Sequence, residues 1–351
     1  TDSSYLTLCT QNLPEPTVIP SEHFNTVLYT GNSSTNAITN VGFVPDFIWA
    51  KSRDNNWNHY LFDKVRNNYD GWMNSNTTSA EGTNDIIDST TGGFIIKGSW
   101  DINQSGYTYA AWNWKANGAG VSNTDGTITS TVSANVDAGF SIVSYTGTGA
   151  AATVGHGLSV APELIIAKTR DSTVDWAVYT ATTGKDGFLL LSTTGAFNSG
   201  PTSYWGTSLP TASVFGINQY GGNGANGDNY ISYAFHSVDG YSKVGSYTGN
   251  GLADGTFVHC GFRPAYVMIK RTDVGGGWSI FDKNRSPYNA IDDRLVANDS
   301  AAELVGNSAL NTDLLSNGFK ARNTYSDYNA SGGTYLFYAV AESPFKHSNA
   351  K

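Results

Sequence analysis

One segment of this sequence occurs three times. Each copy has an aromatic residue, then Tyr-Thr-Gly, and after about 15 residues a proline that starts an apolar run ending in lysine. The prolines are Pro45, Pro162 and Pro264, at spacings of 117 and 102 residues. These spacings are too long for a solenoid repeat and have the length of a domain. The sequence therefore predicts three related domains in series.

Composition and patterning predict that these domains are built from strands. Only 14% of the residues are charged, whereas Gly (39), Tyr (20) and Phe (16) are abundant. Aromatic and β-branched side chains favour a pleated surface, and Gly and Asn supply turns. The nearly continuous apolar run Phe47-Ile48-Trp49-Ala50 is typical of a strand that is buried on both faces. We expect an all-β fold of antiparallel β-sandwiches with a jelly-roll or lectin-like strand order.

The repeats and the segments between them predict the domain boundaries. We expect an N-terminal lead or linker (1–23), repeat 1 (24–118), a Gly/Ser/Thr-rich strap (119–138), repeat 2 (139–240), repeat 3 (241–346) and a tail (347–351). The prolines of the lead favour extended backbone. One short helix is expected at Ser300, which stands three positions before Glu303 as in a capping box.

Charged motifs also recur, although not in every copy. A Lys-x-Arg-Asp pattern follows the apolar run, as in Arg53-Asp54, and we interpret it as a solvated hairpin with a local ion pair rather than a ligand clamp. Asp-x-x-Arg occurs in repeats 1 and 3, and so does an Asn-Ser/Thr-Ala-Glu stretch. Repeat 2 lacks both motifs. If these charges held a ligand, repeat 2 would have lost that site.

Net charge and hydropathy argue against two classes of partner. The net charge is −9, with an isoelectric point near 5.0, and Lys and Arg do not cluster as nucleic-acid binding requires. No apolar run approaches the length that crosses a bilayer, and the first residues do not resemble a signal peptide. We expect a soluble protein with no nucleic-acid partner and no membrane insertion; because the sequence starts without Met, a signal or upstream domain could have been removed.

The residues that usually carry catalysis lack the necessary spacing. Cys9 and Cys260 are expected to be free thiols, and the six histidines show no paired metal-ligand spacing. No nucleophile elbow, phosphate loop or dinucleotide fingerprint occurs in its required context. The sequence therefore predicts a protein that is not an enzyme and has no cofactor and no metal.

Aromatic residues in loop-like surroundings are the candidate ligand-binding groups. Flat Tyr and Trp rings can pack against sugar rings, and neighbouring Asn, Asp and Ser can bond to sugar hydroxyls. The alternative is that these aromatics pack in a core or between domains. The candidates are Trp57, Trp72, Trp100, Tyr204, Trp205 and Tyr220.

The repeat resembles a β-domain of marine tailed bacteriophages, cyanophages included. The resemblance covers roughly residues 5–346 and is carried by several motifs. These are Tyr-Thr-Gly-Asn, Val41-Gly42-Phe43, Lys51-x-Arg53, Leu61-Phe62-Asp63, Gly93-Phe94, Tyr109 to Lys115, the lead Leu8 to Pro14 and the ending Ala341 to Lys346. Proteins with this domain are typically tail-fibre or virion structural proteins, and a concanavalin-like lectin domain often precedes it.

The resemblance implies a component of the virion, exposed on the particle surface, that contributes to recognition of a host-surface glycan or protein. Other virion proteins are the implied partners. From the repetition we also expect a homo-oligomeric assembly, most simply a trimer. One alternative is a purely architectural decoration or scaffold protein. Another is a glycan depolymerase, for which paired carboxylates could come from loop residues. The carboxylates considered are Asp85, Asp88, Asp292, Asp293 and Glu303.

Overall fold

A computed structural model describes residues 18–342. Cys9, most of the predicted lead and the predicted tail lie outside these residues. The strands of repeat 1 are β1 (Phe24–Thr30), β2 (Asn36–Ile38), β3 (Phe47–Ser52), β4 (Tyr60–Asp63), β5 (Gly71–Met73), β6 (Gly82–Thr83), β7 (Ile87–Thr90), β8 (Gly93–Ile96) and β9 (Thr108–Trp114). Two 3-10 turns, Pro20–Glu22 and Asn67–Tyr69, accompany them. Pro20 therefore opens a helical turn where the lead is expected to be extended.

The rest of the described chain also consists mainly of short strands. The strands of the strap and repeat 2 are β10 (Val121–Asn123), β11 (Ser130–Asn135), β12 (Phe140–Thr146), β13 (Ala152–Gly155), β14 (Leu164–Thr169), β15 (Ala177–Thr180), β16 (Leu189–Leu190), β17 (Val214–Ile217) and β18 (Asn229–Phe235). Those of repeat 3 are β19 (Ser242–Thr248), β20 (Phe257–His259), β21 (Pro264–Arg271), β22 (Trp278–Asp282), β23 (Leu295–Val296), β24 (Thr312–Leu315), β25 (Gly318–Ala321) and β26 (Thr334–Ala341). A 3-10 turn (Ser308–Leu310) and α1 (Ser326–Asn329) complete repeat 3. The predicted all-β fold is confirmed.

Each repeat builds one main sheet with the same strand order. The orders are β1-β9-β3-β4-β5-β6, then β10-β11-β12-β18-β14-β15-β16, then β19-β26-β21-β22-β23. A smaller sheet accompanies each one: β2-β8-β7, β13-β17 and β20-β25-β24. All these strand pairs are antiparallel. The predicted strap supplies β10 and β11, which extend the main sheet of repeat 2 beyond β12.

The recurring Tyr-Thr-Gly marks where the first strand of a repeat meets its last strand. The tyrosine stacks on a cross-strand tyrosine, with ring centroids 5.0, 5.2 and 4.9 Å apart in repeats 1, 2 and 3. The glycine that follows lies against the loop before the last strand. A Cβ on Gly31 would lie 2.2 Å from the Gln104 carbonyl oxygen, and Gly147 and Gly249 have the same close approach. The motif recurs because only glycine permits this contact.

Both faces of each main sheet are buried, as the continuous apolar runs predict. Alternate residues of β3 divide between two clusters: Ile48 packs with the smaller sheet of its own repeat, whereas Phe47 and Trp49 face away from it. The second cluster draws on the main sheets of all three repeats. We call it the shared core, and the cluster between the two sheets of one repeat is that repeat's private core.

Trp114 shows how closely the three repeats pack in the shared core. Its ring centroid lies 5.2 Å from that of Phe47 in repeat 1, 6.4 Å from that of Phe140 in repeat 2 and 5.8 Å from that of Tyr266 in repeat 3. Its indole N–H donates to the hydroxyl of Tyr338 at 3.4 Å. The repeats therefore share an interior and pack against one another.

The three repeats close into a ring, because each one contacts both others. One backbone hydrogen bond recurs at every junction between repeats: Glu81 N–H to Arg170 O (2.8 Å), Phe197 N–H to Thr272 O (2.9 Å) and Glu303 N–H to Arg53 O (2.8 Å). The junctions are 1/2, 2/3 and 3/1 respectively. The main sheets are thus arranged around the shared core with approximate threefold symmetry within one chain.

The prediction of a short helix at Ser300 is wrong. Residues 298–303 have no helical turn. Glu303 does not bond back to Ser300 as a cap would; its carboxylate accepts from Arg53 and Arg285 instead. Two charge-assisted bonds to arginine outweigh the single backbone bond of a capping box, so tertiary contacts decide this segment.

We expect Trp114→Ala to destabilise all three repeats, because the side chain packs against each of them. The free energy of unfolding should fall by about 4 kcal/mol. Hydrogen exchange followed by mass spectrometry should show lost protection in β14 and β21 as well as in repeat 1. The control is Phe94→Ala, which empties the private core of repeat 1 and should show its largest effect there. A Trp114→Ala effect confined to repeat 1 would contradict a shared core.

Candidate functional site

The lysine that ends each apolar run is buried and fixes its own loop. Lys51 Nζ donates to the carbonyl oxygens of Ser52 (2.7 Å) and Asn55 (2.9 Å). Lys168 makes the equivalent bonds in repeat 2, and Lys270 bonds to carbonyls on both sides of junction 2/3. Burial lowers the pKa of each of these three lysines to about 8. They are positioned to order the loop rather than to meet a ligand.

The prediction of a local Arg-Asp ion pair is wrong in repeats 1 and 2. Arg53 and Arg170 extend to glutamates of a neighbouring repeat, at 2.6 and 2.7 Å. Asp54 instead accepts from the Thr108 hydroxyl at 2.8 Å. Only repeat 3 has the predicted pair, Arg271 with Asp273, at 2.9 Å. The first two arginines lie at a junction where a buried carboxylate faces them, and this partner is stronger than a solvated one.

At junction 1/2 the recurrent charges form one buried network. Arg66 binds Asp63 (2.6 Å) within repeat 1 and also Glu81 (2.9 Å). Glu81 then binds Arg170 of repeat 2 at 2.7 Å. The hydroxyl of Tyr233, also from repeat 2, donates to Asp63 at 2.8 Å. Asp63, Arg66, Glu81 and Arg170 are hereafter the junction 1/2 quartet.

Junction 3/1 has the same network built from equivalent positions. Arg285 binds Asp282 (2.5 Å) and Glu303 (2.6 Å), and Glu303 binds Arg53 of repeat 1 (2.6 Å). The indole of Trp112 takes the place of the tyrosine hydroxyl and donates to Asp282 at 3.0 Å. Asp282, Arg285, Glu303 and Arg53 are the junction 3/1 quartet. The Asp-x-x-Arg and Asn-Ser/Thr-Ala-Glu motifs are therefore contacts between repeats.

At junction 2/3 all four charges are replaced together. Thr180 and Thr183 occupy the Asp and Arg positions of the Asp-x-x-Arg motif. They keep the backbone bond of that motif with an uncharged acceptor, because Thr183 N–H donates to Thr180 Oγ1 at 3.2 Å. Phe197 and Thr272 make the backbone bond that the glutamate and the second arginine make elsewhere. Removing a single charge would leave its partners buried and unpaired, which explains the joint replacement.

A ring N–H crosses each junction between repeats. It comes from the residue at or just before the start of β4, β15 or β22. His59 Nε2 lies 3.0 Å from Val296 O, Trp176 Nε1 2.8 Å from Asn74 O, and Trp278 Nε1 2.9 Å from Leu190 O. Because His59 Nδ1 accepts from the indole of Trp49 at 2.9 Å, its proton is on Nε2. Burial lowers the pKa of His59 well below its usual value, so the ring is neutral at pH 7. It serves the junction as a donor.

We expect Glu303→Gln to lower the free energy of unfolding by about 3 kcal/mol, because it removes the carboxylate charge that pairs with the buried Arg285 and the half-buried Arg53. Chemical denaturation followed by tryptophan fluorescence measures this change. Asp85→Asn is the control: its ion pair with Lys97 is exposed and should contribute at most about 1 kcal/mol. Equal effects of the two variants would show that the quartet does not stabilise junction 3/1.

Three of the six predicted ligand-binding aromatics belong to repeat 1. Trp57, Trp72 and Trp100 are half-buried and pack against the edge of that repeat's private core. Trp57 meets Tyr107 edge to face at 5.1 Å, and Trp72 packs on Tyr60 at 5.1 Å. Trp57, Trp72, Trp100 and the exposed Tyr107 are hereafter the aromatic surface of repeat 1; Tyr60, beside Trp72, is buried.

Hydrogen-bonding groups border this surface. The Trp72 indole donates to Asn84 Oδ1 at 3.2 Å, and the Tyr60 hydroxyl donates to Asp101 at 3.4 Å. Burial and the Asp101 charge raise the pKa of Tyr60 to about 12, so this hydroxyl stays protonated. Partly exposed rings beside an amide and a carboxylate can hold a sugar by ring packing and hydroxyl bonds, without bond-breaking chemistry.

The expected exposure of Tyr204 and Trp205 is wrong. Both are buried in the private core of repeat 2, where Trp205 packs on Tyr179 at 5.9 Å. Tyr220 stacks on Tyr204 at 4.8 Å and is half-buried. The segment between β15 and β17 has few strand residues and resembles a loop, yet it folds back over the sheet. Among these three residues only Tyr220 presents some surface.

Sequence reasoning missed Tyr107 of the aromatic surface, both of its polar neighbours and the buried Tyr60 beside it. Tyr60 had a usable signal, because it alternates with Phe62 along β4 and so lies on the face that the private core buries. Tyr107, Asn84 and Asp101 had none, since they lie in turns whose position depends on the folded private core.

Across residues 18–342, no group of three or more His, Cys, Asp or Glu side chains is arranged to hold a metal ion. Within the same residues, no helix is long and apolar enough to span a bilayer.

Comparison with protein families gives one match. The family described as a domain of unknown function, DUF7483, matches residues 19–344. This single match covers most of the chain and all three repeats, so the chain belongs to this family. No curated protein matches the sequence.

Proposed function

We propose that this member of the DUF7483 family is a bacteriophage virion structural protein. It belongs to a tail fibre or another exposed part of the particle and contributes to recognition of a glycan or protein on the host surface. The motif resemblance supports the viral setting. The single observation that carries the recognition role is the half-buried aromatic surface of repeat 1, with Asn84 and Asp101 beside it.

The charged motifs support this assignment by elimination. They could have formed a ligand site, but in repeats 1 and 3 they bind the neighbouring repeat. Their absence from repeat 2 therefore follows from the chemistry of junction 2/3. Of the candidates that the sequence offers, the partly exposed aromatics remain as the groups that can contact a host molecule.

A glycan depolymerase is less well supported. A glycosidase needs two carboxyl groups flanking the scissile bond. Glu303 is bound by two arginines, and Asp85 and Asp88 share Lys97. Release of oligosaccharide from host capsule would nevertheless decide for the enzyme. The architectural alternative would be favoured by inter-chain contacts that cover the aromatic surface in an assembled particle.

We expect the purified protein to bind marine bacterial or cyanobacterial cells, or a glycan array, and the double variant Trp57→Ala/Trp100→Ala to bind at least tenfold more weakly. Removing one aromatic face from a sugar or protein contact costs about 1–2 kcal/mol. Flow cytometry with labelled protein measures the change. The control is Tyr288→Ala, which removes a ring that is 83% exposed in repeat 3.

Circular dichroism must show that the variants are folded. Asp101→Asn is a second variant that leaves all aromatic rings in place, and it should also weaken binding. Absence of any binding by the wild-type protein, together with an exclusively internal position in the particle, would exclude the proposed role.

The assembly state is a separate question. A homo-oligomer, most simply a trimer, is the expectation from the sequence. The structure supplies an argument for a monomer: the apolar face of each main sheet is already buried in the shared core. We therefore expect light scattering at micromolar concentration to give the single-chain mass, 37.5 kDa. A mass three times larger would show that chains also associate through their outer surfaces.

A further inference from the structure

The replacement of charges at junction 2/3 leaves an open cleft. Its volume is about 390 Å³, which is within the range of small-molecule sites, roughly 300–1,000 Å³. One wall is the loop after β15 in repeat 2, and the other is formed by the ends of β19, β21 and β26 in repeat 3. The lining includes Thr180, Thr183, Ser246, Thr248, Thr272 and Thr334.

The cleft lies where the other junctions hold their quartets. Thr183 stands at the position of Arg66 and Arg285, and Thr272 at that of Arg53. Two threonines thus replace the two arginine side chains that each of the other junctions contains. The glutamate position holds Phe197, which packs toward the shared core. The loss of side-chain volume explains why this junction has room for a ligand.

The lining is rich in hydroxyl groups and has no Asp, Glu, Lys, Arg or His side chain. Thr272 and Thr334 bond to each other through their hydroxyls at 2.8 Å. Within residues 18–342, the hydroxyls of Ser246 and Thr248 have no protein partner, and both residues are exposed. A hydroxyl can donate and accept at once, which suits a ligand whose own polar groups are hydroxyls.

We propose that this cleft is a binding site for a neutral saccharide. A charged ligand would enter without a counter-ion, whereas the hydroxyls of a neutral sugar can bond to the threonine and serine side chains. Leu336 also lines the cleft, but it is only 3% exposed and packs in the shared core, so the hydroxyls carry the recognition. This site is distinct from the aromatic surface of repeat 1, so the inference does not depend on the proposed host recognition.

Saturation-transfer NMR tests the proposal with maltotriose and N,N′-diacetylchitobiose as neutral probes and 3′-sialyllactose as an anionic one. We expect wild-type protein to bind at least one neutral probe and not the anionic one. Thr248→Arg fills the cleft and should weaken binding at least tenfold. Thr30→Arg is the matched control, because Thr30 occupies the same strand position in repeat 1 but does not line the cleft.

Thr272→Val is the second variant. It removes a hydroxyl at nearly constant volume and should weaken binding with little effect on folding, which circular dichroism checks. Trp57→Ala/Trp100→Ala should leave this binding unchanged, so failure of the host-recognition proposal is distinguishable from failure of this one. The proposal is overturned if neither neutral probe binds, if 3′-sialyllactose binds equally well, or if Thr248→Arg and Thr30→Arg behave alike.

Discussion

Burial of the inner faces of three main sheets against one another is the interaction on which the structure depends. A sheet with one apolar face can be covered by a second sheet, and the smaller sheets do this for the outer faces. The inner faces carry the largest aromatics, such as Trp112 and Trp114, and only the other two repeats cover them. Apolar burial dominates the stability of a domain, so no repeat has a complete set of covered surfaces without the other two.

The junctions add direction to this non-directional burial. Two of them use ion-pair quartets and the third has neutral side chains at the Asp-x-x-Arg positions, while one backbone bond and one ring N–H recur at all three. The recurring bonds set the relative position of neighbouring main sheets. The quartets occupy space that junction 2/3 leaves open, and they make junctions 1/2 and 3/1 chemically different from it. The same arrangement thus contains two junctions with ion-pair quartets and one with a hydroxyl-lined cleft.

Much of the fold follows from the sequence, because it is determined by local patterns. Period-2 alternation, the glycine of Tyr-Thr-Gly and the apolar run after Pro45 each act within a few residues, and each predicts its strand or turn correctly. The shared core is not visible in the sequence, since a strand buried on both faces has the same pattern whatever covers it. The partner of Glu303 is 250 residues away at Arg53, and no local pattern links the two.

The candidate site is predicted less well for the same reason. A loop-like composition suits both an exposed aromatic and one that folds back over a sheet. The predicted exposure is correct for Trp57, which remains half-buried at an edge. It is wrong for Trp205, which is covered by its own segment. Exposure is a property of the packed molecule, and composition alone reports on it weakly.

Covalent linkage of the three repeats has a consequence for how such an arrangement can diversify. A ring made of three separate identical chains would dissociate on dilution and would necessarily repeat every surface change three times. Here the effective concentration of each repeat for its neighbours is set by short connections, so closure is intramolecular. Each outward face can then vary alone, and a single gene product can carry a tryptophan-rich face on one repeat and a hydroxyl-lined cleft at one junction, at a fixed angle to one another.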